Sequence, residues 1–440
     1  MNNAVKNIKN VSIIGANGTM GRLCAGIISS FGDAKVYLFA RDMDKAEMAI
    51  EQAVMSVRSE TIRKNLIPCT YDHDFGRTVS QSDWVLETLV ENYNLKEKMT
   101  RNIAAAIKPG TFVSTISSGF SITKLSKIFT KDLRKYYFGT HFFNPPYKMT
   151  LCEIIYHPES NLQLVKNFGN YLEKSLLRQV VYIKDSPAFV ANRIAFQLMN
   201  EAAQFAEKYQ EKGGIALIDL VMGKFTGRSL ALMETLDFVG LDIYKAIVDN
   251  IYSNTTDSAH KTFKLPPYMN SLIKNHSLGL KSGAGLYKTV KASDGSKSRF
   301  VYNIKTKKYE PQPVINLPFI TKVQENIYYG RYQEAMDIIK NSREWGSQLT
   351  RYFIARYISY SLSLVGDIVD SSINIDKIMA YGFNWIPPTA LVDLLGGKTE
   401  AIKFIKNAKL PVPSMLFNAE PNEVFYKLNE TLNARSFLRN

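Results

Sequence analysis

The chain has 440 residues, a formal net charge of +15 and a hydrophobic fraction of 45%. This length and composition predict two to four globular domains and exclude a disordered chain. No apolar run approaches the ~20 residues that span a bilayer, and the first residues lack a charged-then-apolar leader, so we expect no membrane segment and a cytoplasmic protein.

The basic residues are spread along the chain and do not form one block. This distribution argues against a dedicated nucleic-acid arm, so we expect no nucleic-acid partner. Dinucleotides and coenzyme A are polyanions that suit such a surface, and a basic surface with no specific use is the alternative. The three cysteines and five histidines lack metal-ligand spacing, and the cysteines are expected to be buried thiols in a reducing compartment.

Strand-like and helix-like segments alternate over residues 1–184. The strand candidates are KNVSIIG, KVYLFA, DWVLETLV, TFVSTIS, YYFGTHFF and QVVYIK. Segments of helical periodicity lie between several of them, as in TMGRLCAGIISSF. This alternation predicts an α/β Rossmann-type fold with a doubly wound parallel sheet.

A glycine-rich turn follows the first strand and opens the first helix. Its residues are Gly15, Gly18, Thr19, Met20 and Gly21. Glycines let a backbone approach a pyrophosphate, and the N-terminus of the following helix favours its negative charge. The turn therefore predicts a dinucleotide-binding site, with an ordinary tight turn as the alternative.

The second strand ends in Ala40 and Arg41, where an acidic residue would hold the ribose 2′-hydroxyl of NAD. A small residue followed by arginine is typical of sites that accept a 2′-phosphate. This pair favours NADP over NAD. In the alternative, Arg41 stacks on the adenine and Asp42 holds the ribose.

His141 and Glu153 lie in two neighbouring strand-like runs, twelve residues apart. Adjacent strands can bring two such side chains together. A histidine paired with a carboxylate is a general base with an orienting partner. Together with the nucleotide loop, the pair predicts hydride transfer to or from an alcohol, and a hydrogen-bonded core histidine is the alternative.

From residue 185 the pattern becomes helical, beginning with SPAFVANRIAFQLMNEAAQFAEKY. We predict a dinucleotide-binding domain at 1–184, a helical domain at 185–290, a linker or insertion at 291–345 and a second, degenerate helical domain at 346–440. The second helical domain is predicted from an internal repeat, because residues 374–397 resemble residues 216–241 of the first helical domain.

Eight segments together identify a family resemblance. They are GTMG (18–21), ETLVENYNLKEK (87–98), STISSGFSI (114–122), GTHFFNP (139–145), LCEII (151–155), DSPAFVANRI (185–194), LDFVGLD (236–242) and GLKSGAGLYK (279–288). With them the chain resembles the 3-hydroxyacyl-CoA dehydrogenase family. It is most similar to the bacterial form with a duplicated C-terminal helical domain, here without the fused enoyl-CoA hydratase.

The resemblance implies interconversion of 3-hydroxyacyl-CoA and 3-ketoacyl-CoA with a nicotinamide cofactor, as in fatty-acid β-oxidation. It implies that His141 is the general base and that Glu153 orients it. Ser118 would hydrogen-bond the substrate oxygen, and Asn192 would face the same site.

The resemblance also assigns residues to the cofactor and suggests a partner. Glu91 and Lys96 match residues that line the nicotinamide site, and Asn144 is assigned to the cofactor as well. Relatives commonly dimerise through the helical domain. We therefore expect a homodimer, or a pseudo-dimer made by the duplicated domains of one chain.

Three departures from the family pattern keep other functions open. Ile116 stands where the family usually has an asparagine near the nicotinamide, and Thr226–Arg228 and Pro387–Pro388 replace the common Gly-Pro. One alternative is a related dehydrogenase of a free hydroxy acid. The other is a non-catalytic member that binds a nucleotide or acyl-CoA.

Overall fold

The computed structural model describes residues 8–291, 295–418, 426 and 433–439. The chain divides into two compact units, Met1–Phe189 and Val190–Asn440. The sequence placed its first boundary at 184/185, and the structural division falls at 189/190. The finer predicted segments, 185–290, 291–345 and 346–440, remain a prediction.

The first unit is built from strands and helices that alternate along the chain. The strands are β1 (Asn10–Ile14), β2 (Lys35–Ala40), β3 (Leu66–Thr70), β4 (Trp84–Glu87), β5 (Phe112–Thr115), β6 (Tyr137–Phe142), β7 (Leu151–Tyr156) and β8 (Gln179–Lys184). The helices are α1 (Thr19–Phe31), α2 (Met43–Val57), α3 (Tyr71–Gln81), α4 (Tyr93–Ala106), α5 (Ile122–Ser126), α6 (Lys131–Arg134) and α7 (Leu162–Lys174), with a 3-10 turn at Glu60–Asn65.

These strands form one sheet in the order β3-β2-β1-β4-β5-β6-β7-β8. All neighbouring strands are parallel except β6 and β7, which are antiparallel. The predicted doubly wound sheet is confirmed. The strand order reverses between β1 and β4, and ligands of such sheets bind in the crevice outside the strands' carboxyl ends.

The edge strand β3 was not among the strand candidates. It contains Pro68, and its sequence LIPCT has only a short apolar run. Proline cannot donate a hydrogen bond to a neighbouring strand, so it is tolerated at a sheet edge, which is where β3 lies. Only its parallel pairing with β2 makes this segment a strand.

The second unit is mainly helical. Its helices are α8 (Ala191–Lys208), α9 (Gly214–Val221), α10 (Leu232–Val239), α11 (Leu241–Asn254), α12 (Pro267–Lys274), α13 (Pro318–Tyr328), α14 (Tyr332–Asn341), α15 (Trp345–Ser363), α16 (Ser372–Ile378), α17 (Pro388–Leu394), α18 (Lys398–Asn407) and α19 (Ser414–Asn418). Short 3-10 turns lie at Gln210–Lys212, Lys224–Thr226, His260–Phe263, Leu280–Ser282 and Ala434–Phe437, and a π-helical turn at Met379–Phe383.

The second unit also contains a small antiparallel sheet, which begins before residue 291 and continues into the segment predicted as a linker or insertion. Its strands are β9 (Tyr287–Lys291), β10 (Lys297–Asn303) and β11 (Lys308–Pro311), in the order β11-β10-β9. Among the described residues of the chain, no helix has the length and apolar character needed to cross a membrane.

The two repeated segments share a capping interaction. Asp219 of α9 accepts hydrogen bonds from the N–H groups of Met233 (2.7 Å) and Glu234 (3.1 Å) in the first turn of α10. Asp376 of α16 accepts one from the N–H of Thr389 (3.2 Å) in the first turn of α17. The pKa of each aspartate is raised to about 7, because the effect of burial exceeds the lowering effect of the hydrogen-bond donors. This common geometry supports the predicted duplication.

The two repeats also meet each other at equivalent positions. Arg228 lies nine residues after Asp219, Trp385 lies nine residues after Asp376, and the two form an antiparallel bridge. The guanidinium of Arg228 lies 4.7 Å from the centre of the Trp385 ring. Burial lowers the pKa of Arg228 to about 10. A pairing of equivalent residues is what a local two-fold relation between two copies produces.

Helices α8 and α15 are held together by buried polar groups. Glu201 of α8 accepts a hydrogen bond from the Tyr352 hydroxyl (2.5 Å) and pairs with the Arg356 guanidinium (2.7 Å) of α15. Arg193 of α8 donates to the hydroxyl of Tyr360 of α15 (3.0 Å). The second half of this unit therefore covers one side of α8.

We predict that the first half of this unit does not fold properly without the second. A chain ending at Lys340 lacks α15, so the buried face of α8 becomes exposed and the truncated protein aggregates or fails to fold. Size-exclusion chromatography and circular dichroism measure this. A truncated chain that is monomeric, folded and active would contradict it.

A point variant tests the same contact within the full chain. Glu201→Ala leaves the Arg356 guanidinium buried without its carboxylate, which lowers the free energy of unfolding by about 3 kcal/mol. Glu207→Ala, on the same helix, is the control and changes it by about 0.5 kcal/mol at most. Urea denaturation of both variants gives the two values.

Candidate active site

The loop after β1 needs glycine for two separate reasons. Gly15 has φ +87°, and a Cβ there would lie 2.9 Å from a methyl carbon of Leu89. A Cβ on Gly21 would lie 2.7 Å from both the Gly15 carbonyl oxygen and the Thr88 hydroxyl. The first reason is a left-handed backbone and the second is close packing of α1 on the loop. Both residues were predicted to be part of the nucleotide turn.

A cavity of ≈ 400 Å³ opens beside this loop. Its lining includes Gly15, Gly18, Arg41, Tyr71, Lys98 and Asn102, and no aspartate or glutamate is found among the described residues that line it. Two cations, backbone N–H groups and the N-terminus of α1, which begins at Thr19 and Met20, suit a phosphate-bearing ligand. Residues present here therefore fit a dinucleotide.

Arg41 and Asp42 have different surroundings. Ala40 is buried at the end of β2, and the next residue, Arg41, lines the cavity. Asp42 caps helix α2, since its carboxylate accepts a hydrogen bond from the N–H of Lys45 (2.9 Å) and pairs with the Lys45 ammonium. The carboxylate of Asp42 is thus already engaged by its own helix.

A buried ion pair lies behind the cavity. The ammonium of Lys96 is fully buried and lies 3.0 Å from each carboxylate oxygen of Glu87, which ends β4. It also donates to the Leu89 carbonyl (3.1 Å). Glu87 accepts a further hydrogen bond from the Thr115 hydroxyl (2.6 Å) at the end of β5. The pair therefore ties α4 to two strands of the sheet.

Glu91 connects this ion pair to the loop that carries Ser118. One of its carboxylate oxygens lies 3.6 Å from the Lys96 ammonium. The other accepts hydrogen bonds from the Ser117 hydroxyl (2.6 Å) and from the N–H groups of Ser118 (3.0 Å) and Gly119 (2.9 Å). These contacts fix the backbone of the loop, while the hydroxyl of Ser118 is not among them.

His141 and Glu153 are brought together by the single antiparallel pair of the sheet. They are direct partners in the register of β6 and β7, and Nδ1 of His141 lies 2.7 Å from Oε2 of Glu153. His141 is 5% exposed and Glu153 is fully buried. When Nδ1 donates to this carboxylate, Nε2 is the acceptor of the neutral imidazole.

Two aromatic rings enclose the imidazole. The rings of Phe143 and Phe189 lie 4.6 Å and 5.4 Å from that of His141, each edge to face. Such walls keep water from the histidine and fix its orientation. The imidazole is thus held by one carboxylate and packed against two aromatic rings.

Two further predicted residues have less defined places. Asn144 lies exposed after β6, and its predicted contact with a cofactor stays a prediction. Asn192 is buried in the first turn of α8 and belongs to the second unit. Its predicted role in the site also stays a prediction.

Ile116 was singled out because its side chain is apolar. Its N–H donates to the Glu87 carbonyl (3.0 Å), which continues the pairing of β4 and β5. Its side chain is partly buried and packs against the hydrophobic core of the sheet. The isoleucine therefore contributes to the core at this position.

Sequence reasoning missed three residues that shape this region. Glu87 holds Lys96, and Lys98 lines the cavity. Asp185 accepts hydrogen bonds from the Ser121 hydroxyl (2.7 Å) and the Thr123 N–H (2.8 Å), which holds the start of α5. The sequence signal for Glu87 is a carboxylate as the last residue of an otherwise apolar strand.

Two family models match the chain. Residues 10–186 match the model described as 3-hydroxyacyl-CoA dehydrogenase, NAD binding domain. Residues 189–289 match the model described as 3-hydroxyacyl-CoA dehydrogenase, C-terminal domain.

Named relatives agree with these models. A probable 3-hydroxyacyl-CoA dehydrogenase of Deinococcus radiodurans is 31% identical over 296 residues, which cover 64% of this chain and 84% of that protein. One of Bacillus subtilis is 28% identical over 363 residues, 80% of this chain and 44% of that protein. The chain thus spans less than half the length of the Bacillus relative.

A solved structure matches almost the whole fold. The 3-hydroxybutyryl-CoA dehydrogenase of Escherichia coli has a TM-score of 0.69 with 21% identity, covering 98% of this chain and 99% of that chain. At this identity the likeness concerns the fold, including the helices beyond residue 289. With the two family models and the Deinococcus relative, the chain belongs to the 3-hydroxyacyl-CoA dehydrogenase family.

Proposed function

We propose that this protein interconverts 3-hydroxyacyl-CoA and 3-ketoacyl-CoA by hydride transfer to or from a nicotinamide cofactor. The observation that carries the proposal is the hydrogen-bonded pair of His141 and Glu153 (2.7 Å), buried in the first unit. The cavity at the glycine loop and membership of the family support it.

In the oxidative direction, Nε2 of His141 accepts the proton of the C3 hydroxyl. The C3–H bond breaks at the same time, and its electron pair leaves as hydride while the C–O bond becomes a carbonyl. The nicotinamide, when bound, supplies the hydride acceptor. Glu153 stabilises the imidazolium that forms, because its carboxylate faces Nδ1 in a buried site.

We assign different roles to the residues expected at the nicotinamide. Lys96 is a positioning residue, since its ammonium is fully buried and contacts Glu87, Leu89 and Glu91. It acts through Glu91, whose carboxylate holds the loop that presents Ser118. Ser118 then hydrogen-bonds the substrate oxygen.

The substrate assignment separates this proposal from its alternatives. A dehydrogenase of free hydroxy acids would reduce acetoacetate and not acetoacetyl-CoA, and a non-catalytic member would reduce neither. A spectrophotometric scan of NADH and NADPH oxidation with both compounds decides among the three. We expect turnover with acetoacetyl-CoA alone.

We further propose that the dimer contact expected for the family is provided within one chain. The support is the cover that α15 gives to α8 and the pairing of Arg228 with Trp385. Sedimentation velocity should then show a monomer.

We also propose that the cofactor is NADP(H). Arg41 lines a cavity whose described lining residues include no carboxylate, and Asp42 is engaged as the cap of α2. A guanidinium can bind a phosphate with two charge-assisted hydrogen bonds. An unengaged acidic residue at position 40 would repel that phosphate, and alanine does not.

The first prediction from the proposed function concerns the general base. His141→Ala lowers turnover with acetoacetyl-CoA by roughly 10²–10⁴-fold, the usual effect of losing a positioned acid–base group. Cofactor affinity barely changes, because the histidine lies outside the lining of the cavity. Steady-state kinetics measure the first effect and fluorescence titration the second. His73→Ala, an exposed histidine of α3, is the control, and near-normal turnover of the His141 variant would refute the mechanism.

The second prediction concerns the partner of the histidine. Glu153→Gln keeps the size of the side chain but removes its charge, so turnover falls by about tenfold for each 1.36 kcal/mol of lost imidazolium stabilisation. KM for acetoacetyl-CoA changes little. Glu47→Gln, an exposed residue of α2, is the matched control. Unchanged turnover in the Glu153 variant would count against the pairing.

The third prediction concerns the choice of cofactor. Arg41→Ala weakens NADPH binding by about 1.5–3 kcal/mol, the range of a hydrogen bond to a charged group, and leaves NADH nearly unchanged. Titration of both cofactors measures this. Lys127→Ala, which removes an exposed positive charge outside the cavity lining, is the control. Equal losses for the two cofactors, or a native preference for NADH, would disprove it.

A further inference from the structure

A second cavity lies in the second unit, among α14, α15 and α18. Its volume is ≈ 730 Å³, within the size range of ligand pockets. Four cations line it: Lys340, Arg343, Arg351 and Lys409. No aspartate or glutamate is among the described residues that line it. The cavity is therefore a concentration of positive charge that the proposed hydride transfer does not use.

Most of this charge is not compensated by carboxylates. Arg343 and Lys409 are exposed and form no ion pair within the described ranges. Lys340 is partly neutralised, since its ammonium lies 3.4 Å from Asp337. The carboxylate of Glu344, beside the cavity, accepts a hydrogen bond from the N–H of Phe319.

Arg351 is the fixed element of the cavity. Its Nη1 donates to the carbonyls of Ile339 (2.9 Å) and Ser342 (2.8 Å) and to the hydroxyl of Ser347 (3.0 Å). All three partners are uncharged, so they orient the guanidinium without neutralising it. Burial lowers the pKa of Arg351, as expected for a cation without a counter-charge. A preformed arginine of this kind favours an anionic ligand.

The remaining lining adds features that suit a nucleobase. Phe404 contributes aromatic surface, as does Tyr352, whose ring also stacks on that of Phe205 (5.0 Å). Amides come from Asn341, Gln348 and Asn407. Aromatic rings and amides recognise a base, while arginine forks recognise phosphates. We propose that this cavity binds an adenosine bearing at least two phosphates, the chemistry of the 3′-phospho-ADP part of coenzyme A and of free adenine nucleotides. The proposal does not depend on the hydride-transfer function.

The test is isothermal titration of the full chain with 3′,5′-adenosine bisphosphate in the presence of saturating NADH. The variant Arg343→Gln/Lys409→Gln changes two exposed residues and keeps Arg351, so it is expected to fold. We expect its affinity at this site to fall by about tenfold or more, as for lost charged contacts to phosphate. The charge-matched control is Lys274→Gln/Lys322→Gln, exposed and outside the lining, with unchanged affinity.

Several results would overturn the proposal. They are no binding to the native chain, equal binding to all three proteins, or a loss in the control as large as in the variant. Binding of inorganic pyrophosphate as tight as that of the nucleotide would overturn the assignment of adenosine. The maximal rate at saturating acetoacetyl-CoA is expected to be unchanged in both variants, because neither changes a residue proposed for hydride transfer, so this proposal and the proposed function fail separately.

Discussion

The buried pair of Lys96 and Glu87 is the interaction on which the first site depends. Taking two charges out of water is costly, and it is offset only if every oxygen and ammonium proton has a partner. Here the lysine contacts Glu87, Leu89 and Glu91. The hydroxyl of Thr115 donates a further hydrogen bond to the carboxylate of Glu87. Because these groups come from β4, α4 and β5, one ion pair sets the position of the two loops that follow β4 and β5 at the carboxyl edge of the sheet.

The direction of β7 decides the chemistry at the same edge. A parallel β7 would need a long crossover and would not place Glu153 opposite His141. The antiparallel pairing makes the two residues direct partners, so the carboxylate reaches Nδ1 and leaves Nε2 to accept a proton. The sheet therefore combines a cavity at its strand reversal with a buried, hydrogen-bonded histidine–glutamate pair two strands further on.

The second unit contains the same helix-capping interaction twice. In each repeat a buried aspartate, Asp219 or Asp376, caps the helix that follows, and its burial is offset by N–H donors of the helix N-terminus. The repeats then meet at Arg228 and Trp385. At this contact the guanidinium of Arg228 lies over the ring of Trp385.

Local sequence determined the alternation of strands and helices, the glycine turn and the family, because these depend on periodicity and on short motifs. It also indicated His141 and Glu153, but their pairing required the antiparallel register of β6 and β7. The edge strand β3, the role of Glu87 and the cation-lined cavity around Arg351 came only from the tertiary structure. Each depends on contacts between residues distant in the chain, and burial and hydrogen-bond partners are properties of such contacts.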